Sequence, residues 1–143
     1  MNFRILKTKD LTEEDKKFVL SVEKTVYPEE MLSLSRISEG NLDIYLEEEK
    51  PYFILSDSGY LIYTYNEIID FAFLKPLSLS DINKLHFLIR PGIYSAELRH
   101  STSYRICKYL HKKKKINMTE KEIVFRCGEK FHKVKLCFFL RKS

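Results

Sequence analysis

The stretch DFAFLKPLSLSDINKL, residues 70–85, runs from an apolar strand through a proline break into a helix that Ser78 or Ser80 can cap. At a junction of this kind, free backbone amides and the helix dipole can hold a phosphate. Phe73, Leu74 and Lys75 close the strand, and Ser78, Leu79 and Ser80 stand where the chain would approach the anion, with Lys75 near enough to add a cation. There is no glycine here, so a close approach of backbone to phosphate would have to accommodate side chains. Asp81 adds a first-turn carboxylate that would repel a phosphate, and its ordinary role is to stabilise the helix end itself.

A second group of residues suits anions of another kind. Arg105, Lys108, Lys112, Lys113, Lys114, Lys115, Lys133 and Lys135 can form a phosphate-contacting stripe, with Tyr104, Tyr109 and Phe131 available to stack on bases. No helix-turn-helix or zinc signature accompanies them, so such binding would be salt-sensitive and indiscriminate. The plainer alternative for the lysine run is a solvated surface. Cys107, Cys127 and Cys137 are odd in number and lack the close pairing of a zinc site, which reads as free, mostly buried thiols. The histidines are scattered without metal-ligand spacing, and His86 on an apolar helix face reads as a core-boundary residue.

The elements that must position these groups follow from hydrophobic period and turn chemistry. FRILKT alternates as a strand, over residues 2–8. Asp10 or Thr12 then caps a helix with Glu13, Glu14 and Asp15 in its first turn, which ends at Tyr27 because Pro28 excludes helical geometry there. A weaker helix is expected from about Ser35 to Glu48. Residues 51–77 turn β-branched and aromatic, with breaks at Ser56–Gly59 and Asn66–Glu67, which gives a three-strand meander. SLSDINKLHFLI is a helix with Ile82, Leu85 and Leu88 or Ile89 inward, IYSAEL a strand, and STSYRICKYLHKKKK a helix. Two strands joined around Gly128–Glu129 finish the order βααβββαβαββ. This describes one mixed α/β domain, α+β-like, over residues 1–143.

Charge divides unevenly along the chain. Of 25 lysines and arginines, 14 lie in residues 99–143, together with only 3 of the 20 acids, so that segment carries +11 and residues 1–98 carry −6. The asymmetry points to a surface that meets something anionic: nucleic acid, a nucleotide cofactor or an acidic partner. The longest apolar runs, such as Phe71–Leu74 and Leu136–Leu140, fall short of the ~20 residues of a membrane span. MNFRILKTKD lacks the features of a signal peptide, so a cytoplasmic protein is expected.

The element order resembles the GNAT superfamily of N-acetyltransferases when read with four stretches. These are LTEEDKKFVLSVEKTVYPEEM for the first helix, PYFILSDSGYLIYTY for the hairpin after it, IIDFAFLKP for the central strand, and YSAELRHSTSYRICKYL for the fifth strand and fourth helix. YPEEM and ELR…TSY are most similar to small acetyltransferase-like proteins of bacteriophages, which would place this one in the host cytoplasm. The resemblance implies a central mixed sheet of about seven strands with helices on both faces. It also implies acetyl-CoA inserted where the central and fifth strands splay apart, with its pyrophosphate on the loop before the next helix. There the family usually carries Arg/Gln-x-x-Gly-x-Gly/Ala, which LKPLSLSD does not match.

The same resemblance implies a general base among Asp70 and Glu67, and an acid at Tyr104 or Tyr109, with Glu97 as a further carboxylate. Tyr109 fits the family's LY position and Tyr104 the SY of the phage-like variants. Read by themselves, Asp70 at a strand start and Glu67 in a turn are ordinary solvated carboxylates. Two functions follow. One is transfer of acetyl from acetyl-CoA to an amine. The other is a catalytically inactive scaffold that binds nucleic acid or an acidic host protein through its basic C-terminal half.

Overall fold

The computed structural model describes the backbone of residues 1–27, 37, 40–98, 101–127 and 129–141, and side chains for 1–27, 37, 40–94, 104–124, 126, 129 and 131. The described elements are β1 (Arg4–Lys7), a 3-10 turn (Thr8–Asp10), α1 (Glu13–Val26), α2 (Leu42–Glu49), β2 (Tyr52–Leu55), β3 (Gly59–Tyr63) and β4 (Glu67–Phe73). They continue with α3 (Leu79–Leu88), β5 (Gly92–Leu98), α4 (Ser101–Lys112), β6 (Ile116–Cys127) and β7 (Lys130–Arg141). The order of strands and helices along the chain is the one the sequence suggests. Ser35, the Pro28 corner and Gly128 lie outside the described residues, but the helix expected from about Ser35 begins only at Leu42, because Gly40 is in the left-handed region, φ 91°, and Gly40 and Asn41 form a turn.

Local chemistry explains the boundaries. Thr12 is the α1 cap: its hydroxyl accepts from the Asp15 amide and its own amide donates to the Asp15 carboxylate, both at 3.1 Å. Arg4 of β1 reaches the same carboxylate at 3.1 Å. Burial alone would raise the Asp15 pKa, but the Thr12 amide and Arg4 outweigh it and hold the group below the usual carboxylate value. Tyr27 leaves the helix in extended geometry, φ −97° and ψ 144°, as a residue before proline must. Ser78 caps α3 by accepting from the Asp81 amide at 3.1 Å. The second meander turn spans Thr64–Asn66, so Glu67 is the first residue of β4 and not part of the turn.

The expected single mixed sheet is built as two antiparallel sets. β1, β2, β3 and β4 pair in sequence order, and β5, β7 and β6 form the second set, giving the spatial order β1-β2-β3-β4-β5-β7-β6. The sets meet in parallel over only two residue pairs, Glu67 with Ser95 and Ile68 with Ala96. At that point β4 carries a bulge: Ile62 faces Asp70 while Tyr63 faces Ile68, leaving Ile69 as the extra residue. A bulge bends its strand and adds twist, which accounts for β4 parting from β5 there.

Helices cover both faces of the first set. Val19, Val22, Tyr45 and Leu46 from α1 and α2 pack on Phe53, Tyr60, Ile62 and Ala72. On the opposite face, Ile82 and Leu85 of α3 and Ile106 and Leu110 of α4 pack on Leu61, Ile68, Phe71 and Phe73. β3 and β4 are therefore buried on both sides, which is why they read as continuous apolar runs. Gly59 allows the closest approach in this region: a Cβ there would lie 2.1 Å from the Ala72 carbonyl oxygen. The Leu74 amide, donating to the Ser58 carbonyl at 2.7 Å, extends the contact past the strand end.

Candidate functional site

Both expected catalytic carboxylates sit further into β4 than the sequence suggests. Asp70 is not a strand-start residue but sits inside β4, 4% exposed. Its carboxylate accepts from the hydroxyls of Tyr27 at 2.6 Å and Tyr60 at 2.7 Å. Both bonds have the short length of charge-assisted contacts. The bulge explains the orientation, since it turns Ile69 and Asp70 alike toward α1 and α2. Burial first, then the Asp70 charge, pushes the Tyr60 pKa well above the ordinary tyrosine value, so Tyr60 stays protonated and donates. Glu67, by contrast, is half-buried at the strand start, with its carbonyl accepting from the Thr64 amide at 2.8 Å. Asp70 thus accepts from two tyrosines that lie 43 and 10 residues away along the chain.

The expected cofactor corner has its own arrangement. Phe73 ends β4 inside the core, and Leu74, Lys75, Leu79 and Ser80 are exposed. Ser78 spends its hydroxyl on the α3 cap, and the Asp81 carboxylate lies 3.4 Å from the Met1 ammonium. The Asp81 amide that a phosphate would need is thus taken by Ser78, and the first turn keeps a carboxylate that would repel the anion. Beside the corner, the buried residues 69–73 of β4 run past the end of the β4–β5 pairing.

Tyr104 and Tyr109 lie far from Asp70's surroundings in type of environment. α4 buries Ile106, Cys107 and Leu110 against the sheet, and the helical period sends Tyr104, Arg105, Lys108, Tyr109 and Lys112 to the other side. These five residues line an open depression of about 610 Å³. The Tyr104 hydroxyl is 3.2 Å from a Glu120 carboxylate oxygen on β6. Lys108 Nζ stands 5.5 Å from the Tyr104 ring centre and Lys113 Nζ 6.0 Å from that of Tyr109, within cation–π range. The rings and cations are interleaved along one side of the helix.

The end of α4 adds to this surface. Lys115 donates its amide to the Leu110 carbonyl at 2.9 Å and Lys114 to that of His111 at 3.0 Å, the paired bonds of a Schellman motif. Lys114 adopts the left-handed conformation, φ 58°, that this motif usually assigns to glycine. Lys112, Lys113, Lys114 and Lys115 are all exposed. Lys133 and Lys135 fall on β7 opposite Val124 and Glu122, and Glu97 on β5 opposite Leu136. Their side chains, with those of Cys127 and Cys137, lie outside the described residues.

Cys107 is buried, as expected of it, in the apolar layer between α3, α4 and the sheet. His86 shares that layer and is buried. Among the described residues no group of three metal-capable side chains comes together, and no helix is long and apolar enough to cross a membrane. No protein-family model matches the sequence, and no curated protein matches it.

Proposed function

We propose that this chain is a GNAT-like domain that works by binding nucleic acid through the outer side of α4, without acyl transfer. The observation that carries the reading is the convergence of Tyr104, Arg105, Lys108, Tyr109 and Lys112 on one open depression. Cations spaced along a helix neutralise successive phosphates, and aromatic rings between them offer stacking platforms that tolerate any base. Lys114 supports the same reading, because a lysine kept where the backbone favours glycine gives up local stability while keeping a charge on the surface. The engagement of Asp70 by two tyrosines and the missing glycines of residues 74–81 speak against catalysis.

The decisive measurement is fluorescence anisotropy with short labelled oligonucleotides over a salt series. Log affinity should fall linearly with log salt, with a slope of roughly −0.7 to −0.9 per phosphate contacted. Charge reversal of Arg105, Lys108 and Lys112 to glutamate should abolish binding. Binding that ignores salt, or survives that variant, removes the reading. Capture of an acidic protein in place of oligonucleotides would assign the same face to a protein partner.

A second reading has its own support in the parting of β4 from β5 after two residue pairs. An opening of that kind is where acetyl-CoA would insert if the domain acts as an N-acetyltransferase on an amine. Phe73 and Leu74 would then border the pantetheine, Lys75, Ser78, Leu79 and Ser80 would meet the phosphates, and Tyr104 or Tyr109 would protonate the thiolate. Of the two carboxylates, Glu67 is the better base in this reading because Asp70 is buried between hydroxyls. A rise in melting temperature with acetyl-CoA would favour it, since a ligand that binds only the folded state stabilises that state.

A further inference from the structure

The last two strands reach beyond the rest of the sheet. β5 pairs with β7 from Lys135 to Arg141, whereas β6 pairs with β7 as far as Cys127 and Lys130. Five residue pairs, Ile123 with Val134 through Cys127 with Lys130, therefore overhang as a two-stranded ribbon with no other strand beside it among the described residues. An isolated two-stranded ribbon is marginal in water, so one that projects from a sheet is suited to being completed by a partner.

Its side chains are those of a contact surface. Tyr104 reaches Glu120, which places Glu120 on the α4 side of β6. Strand alternation puts Glu122, Val124 and Arg126 on that same side, past the end of the helix. There Val124 is 53% exposed and Phe131, opposite Arg126, is 68% exposed. The Arg126 guanidinium lies 6.0 Å from the Phe131 ring centre, so a cation and an exposed aromatic ring stand together on the ribbon. α4 returns into β6 through Lys113–Lys115, so Lys112 lies near the start of β6 and Tyr104 beside its middle. The cationic side of α4 and the ribbon thus follow one another along the molecule. The 12 residues of α4 span about 18 Å. The overhang adds roughly 17 Å. Together they match about one turn of a B-form duplex, ~34 Å.

We propose that the β6–β7 ribbon is the second arm of a duplex DNA clamp: it enters the major groove with Arg126 and Phe131 while α4 holds the adjacent phosphates. This rests on the nucleic-acid reading of α4 and narrows it to one substrate class. The B-DNA major groove admits a two-stranded ribbon, whereas that of duplex RNA is too deep and narrow for side-chain reading. The partner's charge is fixed by the +11 of residues 99–143, to which Arg126, Lys130 and Lys133 of the ribbon contribute.

The test compares the full chain on duplex DNA, duplex RNA and single strands of one sequence, using three proteins: wild type, Arg126→Ala with Phe131→Ala, and Lys108→Glu with Lys112→Glu. Wild type should prefer duplex DNA over duplex RNA by roughly tenfold. The ribbon variant should lose about tenfold on duplex DNA alone, and the α4 variant should lose binding to all three. Hydrogen exchange supplies a readout that needs no substitution, since amides of residues 123–134 should slow on addition of duplex DNA. Equal affinity for the two duplexes, or a ribbon variant with unchanged DNA affinity, overturns the clamp while leaving α4 as a nucleic-acid face. Loss of all binding only in the ribbon variant would instead remove the α4 reading. Sedimentation that finds a dimer dispersed by the ribbon variant, with DNA affinity intact, would give the ribbon to a second copy and overturn the proposal.

Discussion

Tyr27 and Tyr60 on one side of the molecule and Tyr104 and Tyr109 on the other are put to opposite uses. The first two turn their hydroxyls inward to one carboxylate, and their rings fill the core under α1 and α2. The second two lie half-exposed along α4 with lysine ammonium groups over their rings. The inner pair meets its polar needs within the fold, and a change there is felt as stability. The outer pair keeps rings and charges at the surface, so a change there is felt in what the protein binds.

The largest effect that would break this contrast is at Asp70. Asp70→Ala removes the acceptor of two buried hydroxyls and should cost about 3 to 4 kcal/mol in urea unfolding. Oligonucleotide affinity of the folded fraction should stay at the wild-type value. A loss below about 1 kcal/mol would mean that the tyrosine pair does not depend on the carboxylate, and Asp70 would return as a catalytic candidate.

Tyr60→Phe probes one bond of the same cluster and should cost about 2 kcal/mol at neutral pH, in the range for hydrogen bonds to charged groups. Its pH signature sharpens the assignment. Burial, then the Asp70 charge, raises the folded-state pKa of Tyr60, so the folded protein keeps a proton that the unfolded chain releases. That contribution is fully present below the ordinary tyrosine pKa, near 10, and is lost as pH rises from there toward the raised folded value. Chemical denaturation across this alkaline range should show wild-type stability falling, with a shallower decline in Tyr60→Phe. Equal slopes would place Tyr60 in an environment no different from that of an exposed tyrosine.

The smallest expected effect is at Lys114. Lys114→Gly relieves a left-handed lysine and should raise stability by about 0.5 to 1 kcal/mol, while removing one cation from the α4 surface. Thermal unfolding and anisotropy on one sample should move in opposite directions, with higher melting temperature and oligonucleotide affinity lowered by a few fold. If affinity rises with stability, the charge at this turn plays no part in binding.

Much of the fold was legible because it is written locally. Thr12 with Asp15, Ser78 before its helix, and the Ser56–Gly59 turn are signals contained in a few neighbouring residues. The α4 surface was legible for the same reason, since Arg105, Lys108 and Lys112 share a side by helical period alone. Asp70 was misjudged because its setting is not local. Its partners are 43 and 10 residues away, and a bulge at Ile69 shifts the alternation that would have shown which way it points. The ribbon was visible as two strands, but its overhang is a matter of register against β5, which hydrophobic period cannot supply.

The tight seam at Gly59 has a mechanical consequence. β3 leaves no room for a methyl group against β4 and stays bonded to it beyond Phe73, so those two strands move as one piece. The β4–β5 ladder spans two residue pairs, and Ile106 and Leu110 of α4 pack across it on Leu61, Ile68 and Phe71. Separating β5 from β4 would therefore also have to lift α4 off the β3–β4 face, so the helix that carries the cationic surface doubles as the bolt across the sheet.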